Sequence, residues 1–289
     1  LAGPGLYFFW KQRGMRQYYQ LSVGILSLCC TGMVLLMGMS TRFTGPFFTY
    51  ATIKDTDRDE ISETTFINMR APYNKPYSVT LNPEYTLYPL TGSAYYNMGP
   101  LPKFTGEETP SITIHYDDEG TRVRSDNVGA FNSKFFMMER RMENGQQEGF
   151  TGDVNSFDGK VTGTLTNNYG QEVDNVAILL YNQMILIGHM EPGETVSLDG
   201  MKVIYGITNF GYAMAEQITG ASRYKEDKDI RDAAYVQALE RTNLLSFYMG
   251  NYLSGYHSEA RVLGFSNEKE ETGFLKSSNY ETYGSTLLT

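Results

Sequence analysis

The chain has 289 residues, of which 41% are hydrophobic and 20% are charged, and its formal net charge is −9. This acidic balance argues against binding to nucleic acid, because negative charge repels a polyanion. The two cysteines are adjacent, at Cys29 and Cys30, so no disulfide framework is expected and the fold depends on its hydrophobic core.

The N-terminal 42 residues differ from the rest, because their only charges are basic, at Lys11, Arg13, Arg16 and Arg42. We interpret residues 1–16 as the end of an upstream membrane segment followed by a basic cytoplasmic loop. The uncharged stretch 17–41 predicts one transmembrane helix, since a helix over 21–39 is about 28 Å long and matches the hydrocarbon layer. The positive-inside rule then places residues 44–289 outside the cytoplasm, in a cell-membrane protein.

Small residues recur on one face of this predicted helix, at Gly24, Ser27, Thr31 and Gly38. Such a face lets two helices approach closely in a bilayer. The lipid bilayer is therefore one predicted partner, and another membrane protein that packs through the helix is a second. Small residues are common in all membrane helices, so ordinary packing is the alternative interpretation.

Residues 44–150 predict a first β-rich domain. Short runs rich in Tyr, Phe, Thr, Val and Ile alternate with turn sequences, a spacing typical of antiparallel sheets closed into a sandwich. The predicted strands are Phe47–Ile53, Thr65–Met69, Tyr77–Leu81, Tyr85–Tyr88, Ser111–Tyr116, Thr121–Arg124 and Phe135–Glu139.

Residues 151–289 predict an immunoglobulin-like β unit with a helical insertion over residues 212–253. The predicted strands are Lys160–Thr166, Val176–Tyr181, Gln183–Gly188, Thr195–Leu198, Arg261–Ser266 and Thr282–Leu288. Apolar residues at helical spacing predict helices at Tyr212–Arg223 and Lys228–Leu253. The predicted fold class is therefore mainly β: an antiparallel β-sandwich, immunoglobulin-like in part, with a small helical insertion and one preceding transmembrane helix.

Several of these segments together resemble a known group of proteins. The basic loop, the apolar stretch, the Arg-Phe-x-Gly-Pro segment at 42–46 and the run VTGTLTNNYGQEVDNVAILLYNQMILIGHMEPGET at 161–195 are similar to uncharacterised membrane-anchored proteins of Gram-positive bacteria. The resemblance implies an extracytoplasmic β-sandwich domain of unknown function. Its motifs are structural, so it assigns no catalytic residue.

A calcium site is one hypothesis for the acidic turn that follows the first strand. Asp55, Asp57 and Asp59 offer carboxylates at alternate positions, as the start of a calcium loop does. An EF-hand loop also needs Gly at its sixth position and Glu at its twelfth, where this chain has Glu60 and Phe66. A solvated hairpin tip is the alternative interpretation.

A second candidate site is a crowd of tyrosines in the first β-rich domain, at Tyr73, Tyr77, Tyr85, Tyr88, Tyr95 and Tyr96. Tyrosines on a sheet edge can stack on sugars or fill a protein interface. Half-buried packing on the sheet is the alternative interpretation.

Three functions follow from these features. The first is a non-enzymatic extracytoplasmic module that serves as a scaffold or interaction part of an envelope or transporter assembly. The second is a module that binds cell-wall polysaccharide through the tyrosines. The third is an envelope hydrolase that uses carboxylates, although no catalytic motif accompanies them, and neither catalytic residues nor a cofactor are predicted.

Overall fold

The computed structural model describes residues 2–15, 18–40, 45–90, 112–117, 120–126, 129–180, 183–205, 211–224, 232–253, 261–266, 274–276 and 280–289. The chain divides into two compact units, Leu1–Gly45 and Pro46–Thr289.

The N-terminal unit contains two helices in its described part, α1 (Ala2–Gln12) and α2 (Tyr19–Ser40). Aromatic contacts join them, since the ring of Tyr7 meets the ring of Tyr19 edge-on at 5.7 Å. The Arg13 guanidinium, just after α1, lies 4.4 Å from the centre of the Phe9 ring.

The helix predicted within residues 17–41 is present as α2, but its predicted role is wrong. In the described part of the chain, no helix combines the length and the apolar character that crossing a membrane requires. An apolar run favours a helix in several kinds of surroundings, so the pattern over residues 17–41 predicts the helix α2 without showing that it spans a membrane. The two partners predicted through this helix, the bilayer and a second membrane protein, therefore lack support.

The described part of the second unit contains fifteen strands and two helices. The strands are β1 (Phe47–Thr56), β2 (Glu60–Arg70), β3 (Tyr77–Leu81), β4 (Thr86–Leu90), β5 (Ile112–Asp117), β6 (Gly120–Ser125), β7 (Lys134–Glu143), β8 (Phe150–Phe157), β9 (Lys160–Asn167), β10 (Val173–Leu180), β11 (Gln183–Met190), β12 (Thr195–Ser197), β13 (Val203–Tyr205), β14 (Arg261–Ser266) and β15 (Glu281–Leu288). The helices are α3 (Gly211–Thr219) and α4 (Ala233–Asn251). The predicted strands Tyr77–Leu81 and Arg261–Ser266 are confirmed with the same ends, and the other predicted strands and helices are confirmed with shifted ends. Strands β8 and β13 lie outside the predicted strands.

The helical insertion begins where its sequence provides a cap. Asp232 has extended backbone geometry, and its carboxylate accepts a hydrogen bond from the N–H of Ala234 at 3.0 Å. This contact satisfies one of the N–H groups that the first turn of α4 leaves without an intrahelical partner.

Among the described strands, nine form one sheet in the order β13-β11-β10-β14-β15-β1-β2-β7-β4. Neighbours are antiparallel except β1 and β15, which run parallel with Phe47 opposite Glu281. Two three-stranded sheets accompany it, β12-β9-β8 and β3-β6-β5.

This mixed sheet corrects the prediction of an antiparallel, immunoglobulin-like sandwich. The alternation of side chains identifies strands but not their pairing, so the parallel partnership of the first and last strands has no local signal. The sheet also takes strands from both sides of position 150. The predicted division into 44–150 and 151–289 stays a prediction.

Two different layers cover the faces of the nine-stranded sheet. On β1, Phe48 and Ile53 point to opposite faces, because successive side chains of a strand alternate between its faces and these two are an odd number of steps apart. Ile53 packs with Met214 of α3 and Leu245 of α4. Phe48 packs in a cluster that includes Val79 of β3. The helices therefore cover one face and the β3-β6-β5 sheet covers part of the other.

The β12-β9-β8 sheet covers a further part of the nine-stranded sheet. Val161 and Leu165 of β9 pack with Ile178 of β10 and Ile185 of β11. The neighbouring residue on β10, Ala177, packs instead with the helical layer. Strand β10 is thus buried on both faces, and β9 lies on the side opposite the helices.

Candidate functional site

The β8–β9 hairpin closes with a two-residue turn that its sequence prescribes. Asp158 and Gly159 have φ angles of 50° and 72°, and Phe157 pairs with Lys160. Positive φ at both central residues is the type I′ geometry, whose twist matches that of the flanking strands and which favours Asp-Gly. This turn fixes the register of β8 against β9.

Strand β8 has one unpaired edge in the described structure. It lies at the end of the order β12-β9-β8 and pairs with β9 alone among the described strands. The N–H of Asn168 donates to the Gly149 carbonyl at 2.9 Å, just beyond the Phe150–Asn167 pair. In an antiparallel ladder this bond makes Phe150–Asn167 a non-hydrogen-bonded pair. Residues 150, 152, 154 and 156 therefore point their backbone N–H and C=O groups away from β9.

The outer face of this small sheet is polar. On β8 it carries Thr151, Asp153 and Asn155, all exposed, which pair with threonines on β9. The amide of Asn168 donates to the Thr151 hydroxyl at 2.7 Å. Opposite this face, Val154 and Ser156 are half-buried. The outer face of β8 is thus exposed from Thr151 to Asn155.

Two exposed aromatic rings lie at the turn end of β8. Phe157 is 86% exposed and Tyr205 is 55% exposed. A Cβ at Gly159 would lie 2.9 Å from the Tyr205 hydroxyl, so this tyrosine is beside the turn. The Ser156 hydroxyl donates to Gln183 Oε1 at 2.7 Å, and Gln183 pairs with Tyr205. These contacts keep the two aromatic side chains at the same end of the hairpin.

A cleft of about 400 Å³ lies at the opposite end of β8. Its lining includes Asp55, Asp57, Phe150, Arg261 and Val262. Asp55 Oδ1 accepts hydrogen bonds from Arg261 Nη1 at 3.4 Å and from the Thr289 hydroxyl at 2.8 Å. The cleft is therefore polar and carries both signs of charge.

The carboxylates of the calcium hypothesis do not converge. Asp55 is engaged with Arg261 and Thr289, and Asp57 Oδ1 accepts from the N–H of Arg58 at 2.8 Å. Asp59 uses its backbone carbonyl, which accepts from the N–H of Asn144 at 3.0 Å. Among the described residues, no three His, Cys, Asp or Glu side chains are placed to hold a metal ion.

The structure disperses the tyrosine crowd. Tyr77 and Tyr85 are 7% and 2% exposed, so their rings belong to the core rather than to a stacking surface. Tyr73 is half-buried and meets Tyr77 edge-on at 6.3 Å, whereas Tyr88 is 41% exposed. Tyr95 and Tyr96 lie outside the described residues.

Tyr85 takes part in a buried polar network. Its hydroxyl donates to Glu63 Oε1 at 2.8 Å, and Arg140 Nη2 donates to Glu63 Oε2 at 2.7 Å. The Arg140 guanidinium also lies 4.6 Å from the centre of the Tyr85 ring and contacts Glu84 at 3.2 Å. Burial alone would lower the pKa of Arg140, but the attraction of the Glu63 carboxylate outweighs it and raises this pKa above its ordinary value. The network ties β2 and β7 to the residues that directly precede β4.

A second polar cluster lies at a bulge in β10. One extra residue falls between Val173 and Val176, where Asn175 has a φ of 54°. There Asp174 Oδ1 lies 2.7 Å from His189 Nδ1, and Asp174 Oδ2 accepts from Nη1 of the buried Arg241 at 3.3 Å. The hydrogen bond with Asp174 raises the pKa of His189. Burial alone would raise the pKa of Asp174, but its bonds to His189 and Arg241 lower it. This cluster ties the β10–β11 hairpin to α4.

Three residues of the predicted packing face on α2 can be described, and all three are exposed. Gly24, Ser27 and Thr31 are exposed, and nothing lies within 4 Å of a Cβ placed on Gly24. Gly38 is part of the helix, but its surroundings are outside the described part.

Sequence reasoning missed β8, although a signal for it exists. Asp158-Gly159 separates two runs of alternating character, FTGDVNSF and KVTGTLTN. Two such runs around Asp-Gly are a strong local signature of a hairpin. That β8 ends the sheet, with its edge open, is information that the signature does not contain.

Comparisons with known proteins find a similar family, but the function of that family is unknown. A family model described as "Domain of unknown function (DUF8725)" matches residues 149–289, a range that begins one residue before β8. A search of curated proteins gave no match.

Two solved structures share a weak likeness in fold. The chain is 9% identical to the yeast delta-COP-I mu-homology domain, with a TM-score of 0.37, covering 85% of this chain and 94% of that one. It is 6% identical to the Fcho1 mu homology domain of Danio rerio with a bound Eps15 peptide, with a TM-score of 0.38, covering 84% of this chain and 93% of that one. Likenesses at this level carry no argument about function, and they bear on neither membrane anchoring nor a Gram-positive origin.

Proposed function

We propose that this chain is a non-enzymatic protein-interaction module, which binds an extended segment of a partner protein as an added strand on the free edge of β8. The observation that carries this proposal is the unpaired edge itself. Residues 150, 152, 154 and 156 direct their backbone donors and acceptors outward from a strand of eight residues. Such a row is a template for main-chain hydrogen bonds with another chain.

The length of β8 distinguishes it from the other edge strands of the described sheets. Strands β12 and β13 have three residues each, β3 and β4 have five, and β5 has six. Short edges are a common device against unwanted pairing, and Pro89 further removes a donor from β4. Strand β8 has neither protection.

The exposed rings at the turn end add a contact that a backbone ladder lacks. A partner strand that runs the length of β8 ends next to Phe157, which is 86% exposed. Burying an aromatic side chain at an interface is a common source of binding energy. We therefore expect the bound segment to carry an apolar residue at this end.

A pair of proline variants tests the proposal. Val154→Pro removes an outward N–H and leaves the bonds between β8 and β9, whereas Asn155→Pro removes an N–H that points to β9. We would select strand-forming heptapeptides from a displayed library on the wild-type chain and measure their Kd values. The lost hydrogen bond is worth about 0.5–1.5 kcal/mol, so Val154→Pro should weaken binding about two- to twelvefold. Because the half-buried Val154 side chain also packs against the core cluster of Val161 and Leu165, the Kd is measured under conditions in which this variant is folded. Asn155→Pro should lower stability as well.

Hydrogen exchange gives the structural readout. Bound peptide should slow the exchange of the outward amides of Gly152, Val154 and Ser156. Peptides that bind without protecting these amides, or equally well to Val154→Pro, would contradict strand addition at β8.

The cellular setting is a separate question. Membership of an envelope or transporter assembly, and the location of residues 44–289 outside the cytoplasm, stay predictions from the sequence. Protease shaving of intact cells tests the location, since an external domain is cut and an internal one is protected.

A further inference from the structure

The stretch of chain that contains β8 is strongly acidic. From Glu148 to Gly200 the sequence has eight acidic residues and one basic residue, Lys160. Part of this charge is compensated within the fold, because Glu148 pairs with Lys54 at 2.7 Å and Asp174 contacts Arg241. The charged residues of β8 and its two-residue turn are Asp153 and Asp158, both of which are exposed, while Arg261 lies in the cleft at the Phe150 end and pairs with Asp55.

Asp153 has the position that matters most to an added strand. It lies in the middle of β8 on the solvent-facing side and pairs with Thr164 of β9, which is uncharged. Its own N–H and C=O groups point toward β9. A residue placed opposite it by antiparallel addition therefore forms a non-hydrogen-bonded pair, the kind that brings side chains closest together. Opposite charges in such a pair are stabilising and like charges are destabilising.

A further acidic residue lies at a greater distance from the open edge. Asp199, which follows β12, accepts a hydrogen bond from the N–H of Gly163 at 3.2 Å. It therefore lies next to β9, roughly two strand spacings from the open edge, a distance of about 10 Å. An incoming strand is one spacing further away, beyond the Debye length of about 8 Å at physiological salt, so ions largely screen Asp199 and the charge of Asp153 dominates.

We infer that the segment bound at β8 is basic, with Lys or Arg opposite Asp153. This inference rests on the proposed strand addition and specifies its partner. Charge complementarity selects a basic extended peptide, and it disfavours both an acidic segment and a second copy of this edge paired with Asp153 opposite Asp153. Antiparallel pairing centred on residue 153 would place the two carboxylates face to face.

Three matched peptides test the inference. They share one strand-forming heptapeptide sequence with Lys, Gln or Glu at the central position, and their Kd values are measured at about 50 mM and about 500 mM salt. We expect Lys to bind about two- to fivefold more tightly than Gln, and Gln more tightly than Glu, from the size of cross-strand charge effects. The differences should shrink at high salt because ions screen exposed charges.

Charge reversal in the protein provides the decisive comparison. Asp153→Lys should invert the order, so that the Glu peptide binds best, and Asp153→Asn should abolish the preference. Asp126→Lys makes the same change in net charge just after β6, where Asp126 forms an exposed ion pair with Arg124 at 3.1 Å, and it should leave the order intact.

The outcomes separate the two proposals. Three peptides that bind equally well and protect the β8 amides would overturn the basic partner and leave strand addition standing. An order that survives Asp153→Lys would also overturn it. If none of the three peptides binds, or none protects the β8 amides, strand addition fails and the inference fails with it.

Discussion

The buried network of Glu63, Tyr85 and Arg140 makes a quantitative prediction about stability. Arg140→Met removes the cation and leaves the Glu63 carboxylate, in a residue 7% exposed, with the Tyr85 hydroxyl and the weaker Thr65 contact at 3.5 Å. Removing one partner of a buried ion pair costs about 3–5 kcal/mol. Because the Arg140 side chain is 21% exposed, we expect the lower end, about 3 kcal/mol. For a unit of this size that loss lowers the Tm by about 6–12 °C.

Urea unfolding followed by circular dichroism measures this loss, and a double variant tests its cause. Glu63→Gln combined with Arg140→Met keeps an acceptor for Tyr85 but removes the buried charge. The double variant should therefore be about 2 kcal/mol more stable than Arg140→Met alone. Arg141→Met is the matched control, because Arg141 is 77% exposed and its pair with Glu60 at 3.7 Å should contribute less than about 1 kcal/mol. Losses that simply add in the double variant, or equal losses at Arg140 and Arg141, would refute the reasoning.

Three further predictions concern other parts of the second unit. Tyr169→Phe should cost only about 1 kcal/mol for its hydroxyl bond to Thr56 at 2.9 Å, whereas Tyr169→Ala should cost about 3–5 kcal/mol in urea unfolding, because the ring is fully buried; similar losses would contradict this. Gly284→Ala should lower stability by about 1–3 kcal/mol, because its Cβ would lie 2.1 Å from the Tyr50 carbonyl oxygen, while Gly170→Ala, with nothing within 4 Å, should be near neutral. The pKa of His189 is raised above 6.5, so its stabilisation is complete below pH 6.5 and is lost as the pH rises through the folded-state pKa. Urea midpoints of wild type and His189→Gln should therefore converge above that pKa, and a constant difference from pH 5 to 9 would exclude this linkage.

Much of the secondary structure could be predicted because it depends on local chemistry. Strand β2 alternates buried and half-buried residues from Ile61 to Arg70, and a half-buried strand shows this pattern in its sequence. The helix α4 shows its apolar spacing in the same way, although its Asp232 cap makes it begin at Ala233, five positions after the predicted start at Lys228. In each case the signal lies within a few residues of the element that it specifies.

The candidate site could not be predicted to the same extent. The tyrosine crowd predicted a binding surface because exposed aromatic residues often bind ligands, yet Tyr77 and Tyr85 are buried. Their alternation with polar residues fits either face of a strand, and only the packing of the β3-β6-β5 sheet against the nine-stranded sheet, which contains β4, decides which face is inside. The apolar character of α2 was a similarly ambiguous signal, since it predicts a helix without defining its surroundings.

The sequence by itself determined where strands, helices and turns form, because alternation, caps and Asp-Gly turns act over a few residues. Only the tertiary structure decided that β15 lies parallel to β1 and that β8 is left at the edge of its sheet. Pairing between distant strands is selected by the total surface that all segments bury together and by the entropy of closing the chain between them. The sequence of any single segment is therefore not enough to predict which distant strand it pairs with.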